Sequence, residues 1–182
     1  MTVANSTING QVGIWNEGGT LTVSNCTVSS NSGVGLFNNG SSAIASLTIT
    51  NSLFSNNGLS IINQSEGPTR TMASGSTLIR KPAGDGSGAG NCTACMTIAN
   101  SVVAGNTTGI FNVAYAPHAA TVTVLNSRFT DNLGGIGTYG FGGDAELTVT
   151  NSTISGNFLY GGIDSGFSSV SIANSTFSDN HW

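Results

Sequence analysis

Apolar and hydroxyl side chains alternate ahead of an asparagine that recurs seven times, at Asn5, Asn25, Asn51, Asn100, Asn126, Asn151 and Asn174. Two residues before it stand Val3, Val23, Ile49, Ile98, Val124, Val149 and Ile172. Four before it stand Met1, Leu21, Leu47, Met96, Val122, Leu147 and Val170. Between these two columns every residue is a hydroxyl, from Thr2 and Thr22 to Thr148 and Ser171. Such period-two alternation predicts a strand with one buried face, ending at the asparagine. Three residues beyond the asparagine the chain is apolar again, at Ile8, Val28, Phe54, Val103, Phe129, Ile154 and Phe177. Six beyond it come Asn31, Asn57, Asn106, Asn132, Asn157 and Asn180, with Gln11 in the first copy. A third short apolar segment follows, as in Gly13-Ile14-Trp15-Asn16, Gly109-Ile110-Phe111-Asn112 and Gly134-Gly135-Ile136. Each period therefore reads as three short strands separated by Asn/Gly turns, where asparagine is the side chain that most readily accepts positive φ.

The recurring asparagines are spaced by 20, 26, 49, 26, 25 and 23 residues, so the long interval holds one period plus an insertion. One such period cannot bury its own apolar face, and copies must stack. Three strands per winding, with like strands parallel and about 4.8 Å apart, predict an all-β, right-handed parallel β-helix of about seven coils. Residues 1–182 form a single β-helix segment in this reading, with an inserted loop at 64–95 between the third and fourth coils. The amides of Asn25, Asn51, Asn100, Asn126, Asn151 and Asn174, stacked in equivalent turns, are expected to form a hydrogen-bonded ladder. A leucine-rich repeat, a left-handed hexapeptide helix and a propeller each demand a rhythm that is absent here.

Composition narrows the function. Asn, Ser, Thr and Gly make up just over half of the 182 residues, and only 7% are charged. Four Lys and Arg cannot neutralise a run of phosphates, which argues against a nucleic-acid partner. The scarcity of strong helix formers argues against a helical bundle. Carbohydrate-cleaving chemistry needs paired carboxylates, or acids that bind Ca²⁺ with a base nearby. Of the acids, only Asp131 and Asp179 share a column, two coils apart, with Gly156 between them. They read as turn residues, His118 as a surface residue in a loop, and no catalytic, cofactor or metal site is expected. A role outside catalysis follows as the expectation.

The segments Phe54-Ser-Asn-Asn57, Phe129-Thr-Asp-Asn132 and Phe177-Ser-Asp-Asn180 match FxxN, and Gly134-Gly135-Ile136 and Gly161-Gly162-Ile163 match GGI. These resemble the repeats of chlamydial polymorphic outer-membrane proteins. The phrase running from Leu147 to Asn157 is similar to large secreted bacterial β-helix proteins and autotransporter passengers. The resemblance implies an exported, extracellular or cell-surface protein, non-enzymatic, used in adhesion or as a structural rod. No secretion signal or capping segment is recognisable at either end, so end-to-end continuation is expected, with further coils or with copies of the same chain.

The insertion carries Arg70, Arg80, Lys81 and a glycine-rich run from Gly84 to Gly90, which reads as a surface loop. Cys92 and Cys95 are a candidate disulfide at its base, suiting an oxidising exterior, and Cys26 reads as a small buried residue. Tyr115, Tyr139, Phe141 and Tyr160, with Phe158 and Phe167 nearby, cluster around the third segment as candidate surface-binding aromatics for a glycan or host surface. Among the Asn-x-Ser/Thr sequons, Asn39, Asn63 and Asn91 are expected in loops. Two further readings, a polysaccharide-degrading β-helix and an ice-binding face built on Thr22, Thr48 and Thr148, are weaker. The latter's second column breaks at Ala99, Leu125 and Ala173.

Overall fold

The computed structural model describes residues 1–40, 43–65 and 92–181. These residues build three parallel sheets, two of seven strands and one of six, wrapped around a common core as a parallel β-helix. The first sheet takes the strand ahead of each recurring asparagine, such as Ala119–Leu125 and Asp144–Thr150. The second takes the three-residue strand beyond it, such as Arg128–Thr130, and the third the longer strand that follows, such as Gly134–Phe141. Like strands pair in register along this column: Val23, Ile49, Ile98, Val124, Val149 and Ile172 lie successively opposite one another. Val28, Phe54, Val103, Phe129, Ile154 and Phe177 do the same in the second sheet.

Short of their last members, Ile172 and Phe177, both files meet the third sheet's Ile14, Leu36, Ile61, Ile110 and Ile136 in one apolar cluster. The first five members of the valine–isoleucine file are wholly buried. Ile172 lies in the outermost strand of its sheet and is 47% exposed. Full burial of such a side chain contributes about 1.5–3 kcal/mol, so each added winding stabilises the one below it.

The recurring asparagines do not form the expected ladder. All seven take φ between 48° and 52° and are exposed, because the left-handed turn aims the amide away from the stack. Their role is conformational: asparagine occupies this region at lower cost than other residues with a Cβ. The amide ladders run through two other columns. In one, Asn31 donates to Asn57 Oδ1 (2.8 Å), Asn57 to Asn106 (3.1 Å), Asn106 to Asn132 (2.9 Å), Asn132 to Asn157 (3.1 Å) and Asn157 to Asn180 (2.7 Å). In the other, Asn16 donates to Asn38 (2.7 Å), Asn38 to Asn63 (2.9 Å), Asn63 to Asn112 (2.9 Å) and Asn112 to Thr138 Oγ1 (3.1 Å).

A third ladder uses the residue after each recurring asparagine. The backbone N–H of Cys26, Ser52, Ser101, Ser127 and Ser152 donates in turn to the Oγ of the serine one winding on, at 3.1–3.2 Å. The second of these polar files runs within the strands of the third sheet, and the first and third lie at the corners of the winding, where the strands turn and backbone groups lose their sheet partners. Buried amides there repair what the turns break.

Three further expectations change. The strands Leu59–Ser65 and Cys92–Ala99 reach into both flanks of the 64–95 stretch. The rest of that stretch, with Arg70, Arg80, Lys81, the glycine-rich run and Asn91, lies outside the described residues. Asn39 and Asn63 stand in strands of the third sheet and are buried, not in loops, because the third segment is longer than its apolar core suggests. His118 is buried rather than on the surface, in a turn whose backbone bonds to Tyr115 and Asp144.

Candidate functional site: an aromatic cleft on the third sheet

Along the strand Gly134–Phe141, side chains alternate. Ile136 and Thr138 face the interior, whereas Gly137, Tyr139 and Phe141 face outward. Register with the neighbouring strands sets Phe111 beside Gly137 on one side and Asp164 beside it on the other. One outward column thus reads Phe111, Gly137, Asp164, drawn from three consecutive windings.

The absence of a side chain at Gly137 is what shapes the site. A Cβ there would stand 3.0 Å from Tyr139 Cε2 and 3.4 Å from Phe111 Cδ2, so the Tyr139 ring lies over the glycine. Laid across in this way, the Tyr139 hydroxyl reaches the next winding and donates to Asp164 Oδ2. Gly134 plays the same part for Tyr160, whose Cδ2 lies 3.3 Å from where a Cβ would be. The result is a cleft of about 230 Å³ walled by Phe111, Tyr139 and Tyr160, floored by glycine backbone and closed on one side by Asp164.

Burial, then the hydrogen bond to Asp164 and its negative charge, hold the Tyr139 phenol well above its ordinary pKa of 10.0. Tyr139 therefore stays a neutral donor to Asp164.

The remaining candidate aromatics extend the same face. Phe111 and Tyr139 meet with centroids 5.6 Å apart at 45°. Phe141 lies 6.3 Å beyond Tyr139 at 17°, and Tyr115 stacks on Phe141 at 5.4 Å and 21°. All four candidates, Tyr115, Tyr139, Phe141 and Tyr160, thus lie on one side of the rod. Phe158 and Phe167 are exposed outside the cleft. Sequence reasoning overlooked Phe111 and Asp164 as members of this site, and also a second stack on the same face, Trp15 on Phe37 at 4.5 Å. The available signal was that Trp15, Phe37, Ile62 and Phe111 share one register position.

Elsewhere the candidates do not converge. Asp131 and Asp179 occupy exposed left-handed turns, at φ 57° and 52°. Among the described residues no group of three or more His, Cys, Asp or Glu is placed to hold a metal ion. The hydroxyl column Thr22, Thr48, Thr97, Thr123, Thr148 is continuous on the first sheet, while its neighbour is interrupted by Ala99, Leu125 and Ala173. Cys92 and Cys95 are bonded to each other, with Cα atoms 5.7 Å apart. Residues three apart in a plain strand point to opposite faces, and a bulge between Cys92 and Ala94 brings these two together. Cys26 is a free, buried thiol.

Among the described residues no helix is long and apolar enough to cross a membrane. Comparison with curated proteins returns no match. Among solved structures, the chain is similar to a trypsin-treated form of QnrB1, a plasmid-mediated fluoroquinolone resistance protein, at 10% identity and a TM-score of 0.39. That similarity covers 95% of this chain and 73% of the other. The family model described as the right-handed beta helix region matches residues 1–177. With that match laid over the three in-register sheets, the chain belongs to the right-handed β-helix family.

Proposed function

We propose that this chain is a non-enzymatic β-solenoid of the exported, adhesive kind, a rod segment that presents the outer face of its third sheet to a glycan or host surface. The observation that carries the reading is the convergence of Phe111, Tyr139, Tyr160 and Asp164 from successive windings into one open cleft. Phe141 and Tyr160, held exposed on an outer face rather than spent in the core, serve recognition better than folding. The ladders and files beneath them supply the rigidity that a binding platform needs. Kinship with polymorphic outer-membrane and autotransporter passenger repeats, carried by the FxxN and GGI segments, belongs to the same reading. So does end-to-end association through parallel strand edges.

Binding rather than catalysis is supported by the cleft's chemistry, since the one carboxylate among its described lining residues is already engaged by the Tyr139 hydroxyl. Surface plasmon resonance on chips coated with polysaccharide or glycoprotein tests the reading. The intact protein should be retained, and a variant with Tyr115, Tyr139, Phe141 and Tyr160 all replaced by alanine should not. Equal retention of a folded variant would refute it.

A further inference from the structure

We infer that the cleft is a subsite for one neutral pyranose residue of a glycan, stacked on the aromatic walls and donating hydroxyls to Asp164. The inference rests on the adhesive reading above and assigns its ligand class.

Size is the first argument. A cleft of about 230 Å³ falls below the range of sites that enclose drug-sized molecules, and suits a single ring with the rest of a chain outside. The shape of the walls is the second. Phe111 and Tyr139 meet at 45° as two sides of an open platform, a surface for the C–H face of a flat ring. They do not close around a point charge as an ammonium site requires.

The third argument is the polar inventory. Asp164 accepts from Tyr139 through Oδ2, and its Oδ1 has no hydrogen bond among the described residues. A carboxylate only accepts, so its ligand must bring donors, and vicinal hydroxyls supply them. Among the described residues no Lys or Arg lines the cleft, and the chain carries a net charge of −4. Uronic and sialic residues would place their carboxylate against Asp164 with no cation among the described lining residues to offset it.

The test is isothermal titration of the intact chain with cellotetraose, maltotetraose, mannotetraose, tetragalacturonic acid and tetramethylammonium chloride. At least one neutral tetrasaccharide should bind, and at least about tenfold more tightly than the acidic one. Tyr160→Ala should weaken that binding about three- to tenfold, the worth of one stacked ring. Tyr160 is 51% exposed, so its removal spares the core. Asp164→Asn should weaken binding as well, whereas Phe167→Ala, outside the cleft, should leave it unchanged. No binding by any neutral probe, preference for tetragalacturonate or tetramethylammonium, or full affinity in Tyr160→Ala would each overturn the inference. Should the coated surfaces still retain the protein through its four aromatics while every tetrasaccharide fails, the adhesive reading stands and the sugar subsite falls.

Discussion

Replacing Asn106 with alanine isolates what the buried amide file contributes. The Asn106 carbonyl oxygen accepts from the backbone N–H of Asn57 (2.9 Å) and from its amide (3.1 Å). Its own amide donates to Asn132 Oδ1 (2.9 Å), Ala104 O (3.0 Å) and Phe54 O (3.2 Å). The residue is buried, so water does not freely replace these partners. Truncation leaves the Asn57 N–H facing a void, which costs about 1–3 kcal/mol, and removes the bonds of the two amide hydrogens, worth about 1 kcal/mol each. Losing about 3–5 kcal/mol in all is expected. The exposed Asn126 is the control: its φ of 48° makes Asn126→Ala cost about 1–2 kcal/mol, while Asn126→Gly should be nearly neutral. Urea unfolding followed by circular dichroism reads all three. A loss below about 1 kcal/mol for Asn106→Ala, or one no larger than that of Asn126→Ala, would refute the role given to the file.

Two other outcomes are expected. Folding raises the Tyr139 pKa above its ordinary 10.0, so the unfolded chain loses this proton first. Its contribution to stability is intact below pH 10 and declines as pH rises beyond that value. In an alkaline titration at 295 nm, the absorbance step lost in Tyr139→Phe should be centred above pH 10, and a step at or below 10 would contradict the Asp164 pairing. Thiol counting on denatured protein should find one reactive cysteine without reductant, Cys26, and three with it. Three without reductant would rule out the Cys92–Cys95 bond.

The windings were legible in the sequence because their physics is local. A period-two alternation defines each first strand, and the left-handed turn after it tolerates few side chains, so the Val/Ile column could be aligned residue by residue. The ladder was assigned to the wrong asparagines for a related reason. Two asparagine columns recur side by side, and only the path of the turn decides which one points inward: Asn126 is thrown outward at φ 48°, and Asn132 is wholly buried. The second ladder, through Asn38, Asn63 and Asn112, lies in the third strand, where segment lengths vary and no strict column announces itself. The cleft was half legible. Tyr139 and Tyr160 stood out as aromatics near a variable segment, but Asp164 reaches Tyr139 from 25 residues away, and only the register Gly137↔Asp164 makes them neighbours. Nothing in the repeat pattern singles out glycine at 137, whose effect is to leave space for a ring.

All of this depends on equivalent residues lying above one another along the rod. The most direct measurement is the distance between spin labels at Thr22→Cys and Thr148→Cys, in a Cys26→Ser background, by double electron–electron resonance. These positions are 126 residues apart in sequence, yet they are linked by four in-register steps through Thr48, Thr97 and Thr123. At about 4.8 Å per step, a distribution centred near 19 Å is predicted, broadened by the label linkers. A distribution centred beyond about 30 Å, the length of more than six such steps, would contradict the stacked register and with it the cleft.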